Sequence, residues 1–144
     1  MPATEPANLL AALDEGRGRA EHGFTFVRGN GQEDFLSWDS LRSEAINCAA
    51  QLRAIGLKKG DRLAVVVPDA RDFVPTFLGA AWAGVIPVPF HAPPTLGGLE
   101  SYADALVTTL NNAEPACLAT SARLVGMLQD AARRVPSLRG TITT

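Results

Sequence analysis

The sequence predicts an α/β fold built on a parallel sheet and preceded by a β-hairpin and a short helix. Three observations carry that prediction. Leu63-Ala64-Val65-Val66-Val67 is a continuous apolar run rich in β-branched residues, as in a strand covered on both faces. After it, segments with helical spacing alternate with short apolar runs, the order that gives a parallel sheet with helices on its faces and right-handed crossovers. Before it, two short apolar runs flank Gly29-Asn30-Gly31, a sequence that favours the positive φ of a hairpin turn.

Leu9, Leu10 and Leu13 lie at helical spacing, so a short helix is expected over 8–13, ending near Gly16 and Gly18. Phe24-Thr25-Phe26-Val27 and Phe35-Leu36 are the two arms of an exposed hairpin. Ser37 caps the next helix, with Asp39 in the first turn where a negative charge suits the dipole. Leu41, Ala45, Cys48, Ala49, Leu52 and Ile55 recur at steps of three and four, one helical face, and Gly56 stops it. The polar link Lys58-Lys59-Gly60-Asp61 leads into the strand Leu63–Val67, which Pro68 ends.

The following helix has two possible caps, Asp69 and Asp72. Pro75 favours a start at Asp72, because proline suits the first turn. Its Phe73, Val74, Phe77, Leu78, Ala81 and Trp82 leave almost no polar face, which predicts deep burial, and Gly84 ends it. Val85-Ile86-Pro87-Val88 is the next strand, and its proline places it at a sheet edge or a strand end. Residues 90–98 read as a loop with Pro93, Pro94, Gly97 and Gly98. Leu99, Ala103, Leu106, Val107 and Leu110 then share a helix face. Ala116–Ala119 is a short strand. Ser121 caps a helix with Leu124, Val125, Leu128 and Ala132 inside, Pro136 stops it, and Thr141–Thr143 reads as a strand cut off at its start.

The totals bound the function. The 144 residues suffice for one ordinary core, and 47% hydrophobic with 19% charged residues describes a globular chain. A net charge of -2 offers no basic footprint for nucleic acid or an anionic membrane. Residues 73–92 are apolar but broken by Pro75, Gly79, Gly84, Pro87 and Pro89, so no membrane span is expected. The opening residues show no basic stretch followed by an apolar one, so a cytoplasmic protein is the expectation. Cys48 and Cys117 each adjoin an alanine and read as reduced core residues.

The search for chemistry comes back nearly empty. Neither Gly-rich phosphate pattern occurs, nor a Gly-x-Ser-x-Gly elbow. His22 and His91 are far apart and have no ligand-spaced partners, so no metal site is expected. His22 reads as solvent-facing, and Lys58 and Lys59 as a solvated link. Trp38 and Trp82 read as packed residues. Asp69 and Asp72 could pair as carboxylates, but capping explains both. His91 follows a strand end, where open α/β sheets bind ligands. The plain reading is a loop histidine bonded to backbone. The sharper one makes it part of a ligand site at that strand end.

Several pieces in order resemble the adenylate-forming enzyme superfamily. They are Phe35-Leu36-Ser37-Trp38-Asp39-Ser40-Leu41, Gly56-Leu57-Lys58-Lys59-Gly60-Asp61-Arg62, Val67-Pro68-Asp69 and Ala83-Gly84-Val85-Ile86-Pro87-Val88-Pro89. Within it, Asp69-Ala70-Arg71-Asp72-Phe73-Val74, Pro87–Pro94 and Asn112–Thr120 are similar to the fatty acyl-AMP ligases. His91 departs from the tyrosine often found at its position there. The resemblance implies an N-terminal fragment: residues 1–23 as a helix and lead-in, and 24–144 as the truncated start of the large N-terminal domain. The parent enzyme would use ATP and Mg²⁺ to turn a fatty acid into acyl-AMP. It would then pass the acyl group to a phosphopantetheinyl acyl carrier protein.

The family's Gly-x-Pro-Lys phosphate loop, its nucleotide-binding segments and its C-terminal lysine do not occur in these residues. The resemblance therefore assigns no catalytic, cofactor-binding or metal residue here and implies an inactive fragment. Phe90 and His91 are its only candidates for a channel wall. A fragment of this kind is also expected to be marginally stable or self-associating. Two other readings stay open: a fragment of an acyl-CoA synthetase, and a non-catalytic α/β interaction domain.

Overall fold

The computed structural model describes residues 7–93 and 99–144. Of the loop expected over 90–98, residues 94–98 lie outside the described residues, as does the side chain of Leu99. The chain opens with α1 (Leu9–Glu15), whose Asn8 side chain accepts from the amides of Leu10 and Ala11. The hairpin follows, β1 (Gly23–Val27) and β2 (Glu33–Ser37), antiparallel with Thr25 opposite Phe35. Arg28 N–H donates to the Gln32 carbonyl at 2.8 Å, which leaves a three-residue loop, Gly29-Asn30-Gly31, at the turn. The Arg28 carbonyl accepts from Gly31 N–H at 2.8 Å, and the positive φ of 80° falls on Gly31.

The remaining elements are α2 (Trp38–Ala54), β3 (Arg62–Val66), α3 (Ala70–Ala83), β4 (Ile86–Pro89), α4 (Leu99–Ala113), β5 (Cys117–Thr120), α5 (Ala122–Arg133) and β6 (Gly140–Thr143). Four strands form one sheet in the order β4-β3-β5-β6, every pair parallel. The proline-bearing β4 lies at an edge, as its sequence requires. The central β3 reads as a buried run because both its faces are covered. Leu63, Val65 and Val67 face α2 and α3, while Ala64 and Val66 face α4 and α5. In β5, Cys117 and Ala119 take the first side and Leu118 the second. A third cluster, with Leu13, Leu36, Leu41, Ala45 and Leu78, joins α1 and the hairpin to α2 and α3.

Some expectations need correction. The α3 cap is Asp69, not Asp72. Its carboxylate accepts from Arg71 N–H at 2.9 Å and its carbonyl from Phe73 N–H at 2.8 Å. Pro75 therefore sits in the second turn, and the amide it lacks is the one that would have met the Arg71 carbonyl. The cap and the favourable charge of Asp72 in the first turn outweigh that loss. Nor is α3 buried all round: Phe73, Val74 and Phe77 stay partly exposed along a groove. On α5 the buried stripe is Leu124, Leu128 and Ala131, with Val125 and Ala132 on its flanks. Ser121 stands at the N-cap of α5, but its side chain makes no capping hydrogen bond. Ile55 is the C-cap of α2 and is 54% exposed.

Two close approaches fix the layers. A Cβ on Gly79 would stand 2.6 Å from the Cβ of Cys48, so α3 crosses α2 backbone to side chain at that point. Arg71 donates from both terminal guanidinium nitrogens to Glu44 of α2 at 2.7 Å, and its Nε reaches Asp34 of β2 at 3.5 Å. This fork, which also raises the Arg71 pKa, ties the hairpin to the helical layer.

Candidate substrate-channel wall

Open parallel sheets present their loops at the carboxyl ends of the strands. Here Val67 and Pro68 leave β3, and Phe90 leaves β4, side by side. Phe90 N–H donates to the Val65 carbonyl at 2.9 Å, so the backbone follows the sheet one residue past β4. The Phe90 ring is partly buried against the α4–α5 side of the core, together with Ala92 and Tyr102. His91 is exposed, and its carbonyl accepts the Tyr102 hydroxyl at 2.6 Å.

Both residues predicted from sequence, Phe90 and His91, line one groove of about 620 Å³ with Val67, Pro68, Phe73, Pro89, Ala92 and Pro93. Its lining has one imidazole and otherwise apolar side chains. Among the described residues, no carboxylate and no cationic side chain faces it. Such a lining suits an uncharged or alkyl group and does not fit ATP phosphates or Mg²⁺, which need charged partners. No group of three His, Cys, Asp or Glu stands at metal-binding distance among the described residues.

The acidic pair does not converge on this groove. Asp69 caps α3 and faces a separate groove with Arg28 and Arg123, and Asp72 is exposed in the first turn. His22 is exposed, with Glu21 at 3.6 Å. Burial pushes the thiols of Cys48 and Cys117 up, as expected of packed cysteines.

Two features were not singled out in the sequence. A second groove, of about 350 Å³, runs between α1, β1, α2 and α3 and is lined by apolar side chains such as Phe24, Trp38, Phe73 and Phe77. The excess of apolar residues around α3 was its only signal. The other is Tyr102, the single tyrosine of the chain and a phenol next to an apolar helix face. Burial raises its pKa, so it stays protonated and remains a donor at neutral pH.

Comparisons with known proteins agree with the α/β fold. Residues 15–143 match the family described as AMP-binding enzyme. The long-chain-fatty-acid–AMP ligase FadD26 of Mycobacterium tuberculosis is 35% identical over 96 residues, 67% of this chain and 16% of the relative. A solved structure of the fatty acyl-adenylate ligases of E. coli and L. pneumophila superposes with a TM-score of 0.79 at 28% identity, over 90% of this chain and 23% of that one. McyG A-PCP, solved with phenylalanyl-adenylate, reaches a TM-score of 0.82 at 20% identity, over 94% of this chain and 22% of that one, a likeness of fold alone. The chain thus spans about a sixth of the curated relative's length. With all but its first residues and its last one matched, this chain belongs to the AMP-binding family of adenylate-forming enzymes.

Proposed function

We propose that these residues open the large N-terminal domain of a fatty acyl-AMP ligase. Residues 1–23 are a lead-in and 24–144 its first sheet, core and channel wall. The longer ligase activates a fatty acid with ATP to acyl-AMP and passes the acyl group to the phosphopantetheinyl thiol of an acyl carrier protein. The observation that carries this reading is the family match over 15–143, supported by the 35% identity to a fatty-acid–AMP ligase.

Phe90 and His91 supply one wall of the acyl or pantetheine channel, a role that suits an uncharged lining. ATP, and the Mg²⁺ and charged side chains that neutralise its phosphates, are engaged by residues outside this chain. The 144 residues alone therefore form no acyl-AMP. The test is adenylate formation by a longer ligase carrying this segment, with ATP and a series of fatty acids, followed by an acceptor assay. Acyl-AMP that is passed to carrier protein and not to free coenzyme A is the expected result. Transfer to coenzyme A would make the protein an acyl-CoA synthetase. No adenylate from any fatty acid would overturn the reading.

A further inference from the structure

The wall formed by residues 89–93 has little means of holding itself. Pro89 and Pro93 carry no backbone N–H, so only three of these five residues can donate from the main chain. Phe90 uses its donor on Val65. One residue further on, the carbonyl of exposed His91 is held from outside the loop, by the Tyr102 hydroxyl of α4 at 2.6 Å. That distance lies at the short end for an O–H···O bond. The Tyr102 ring is packed in the same cluster as Phe90 and Ala92, so the hydroxyl is aimed by a side chain that is itself fixed.

We propose that Tyr102 is a positioning residue for the channel wall: its hydroxyl sets where Phe90 and His91 stand. The inference rests on the fatty acyl-AMP ligase reading. Tyr102 touches no reacting atom in it. It fixes the backbone from which the two wall side chains project, and so the fit of the acyl or pantetheine group beside them.

Tyr102→Phe removes the hydroxyl and keeps the ring and its packing, so the fold is retained. The test has two readouts. The first is amide hydrogen exchange at Phe90, whose N–H is bonded to the Val65 carbonyl. In Tyr102→Phe it should rise roughly 2- to 10-fold, the equivalent of one hydrogen bond, while β3 and β5 amides are unchanged. The second is made on the longer ligase: KM should change for fatty acid or carrier, with kcat nearly constant, and the chain-length profile should shift. Restoring tyrosine should restore both.

Unchanged exchange at Phe90 would overturn the anchoring. Faster exchange with an unchanged KM and chain-length profile would overturn the positioning role, leaving a merely structural bond. A ligase that makes no adenylate even with Tyr102 in place would remove the functional reading itself. It would take the positioning role with it, and is told apart from the other failures because the unsubstituted enzyme is the one that fails.

Discussion

Gly79→Ala tests the crossing of α2 and α3 most sharply. An added Cβ would lie 2.6 Å from Cys48 Cβ, 2.7 Å from Cys48 Sγ and 2.9 Å from the Ala45 carbonyl oxygen. Two of these three are the α2 backbone oxygen and the first side-chain carbon, neither of which escapes by a rotamer change. The overpacking penalty should therefore approach the upper end of its usual range, about 3 kcal/mol. Alanine in place of glycine inside a helix returns at most about 1 kcal/mol. The net loss is then about 2 kcal/mol, a fall in Tm of roughly 4–8 °C for a chain of this size. Thermal and urea unfolding, followed by circular dichroism, measure it. Cys48→Gly should recover part of the loss in the double variant, because it removes both cysteine atoms and leaves only the carbonyl contact. A Gly79→Ala variant as stable as the parent chain, or more so, would refute the close crossing.

Three further predictions follow from the packing and the ionisable groups. Leu118→Ala, on central strand β5 at 1% exposure, should cost about 2–5 kcal/mol by leaving a cavity under α4 and α5, read as a lower urea midpoint. The Lys58 backbone N–H, and then Arg139, hold the Asp61 carboxyl below its ordinary range. Its contribution should be present above the ordinary aspartate value of about 4 and fade as pH falls through the lowered folded value, so the stability gap between the parent chain and Asp61→Asn should close in acid. The thiols of Cys48 and Cys117 are raised by burial, so iodoacetamide at neutral pH should label the folded chain slowly and the guanidinium-unfolded chain readily. Rapid labelling of both in the folded state would contradict their packing.

The fold was legible where periodicity was strong. The β3 run, the stripe from Leu41 to Leu52, and the Gly56 and Gly84 stops each correspond to observed elements, because each pattern is imposed by burial on a defined face. The α3 start was misread because a proline rule was weighed against a cap, and the Asp69 cap is worth more than the single amide lost at Pro75. The α5 stripe slipped by one residue because Ala131 and Ala132 are alike, and only the sheet beneath them decides which faces inward. The strand end singled out His91, and the family resemblance added Phe90 and the channel-wall role. Tyr102 was not singled out, since a contact across eleven residues leaves no periodic trace. The Arg71 fork to Glu44 was equally invisible, being a meeting of two helices separated in sequence by β3.

The measurement that bears most directly on the account is acyl-AMP formation from ATP and a range of fatty acids, by this chain and by a longer ligase carrying it, side by side. The account predicts adenylate from the longer protein and none from the 144 residues, which then serve as scaffold and channel wall. Adenylate made by these residues alone would contradict it and would return His91, Asp69 and Asp72 to consideration as chemistry.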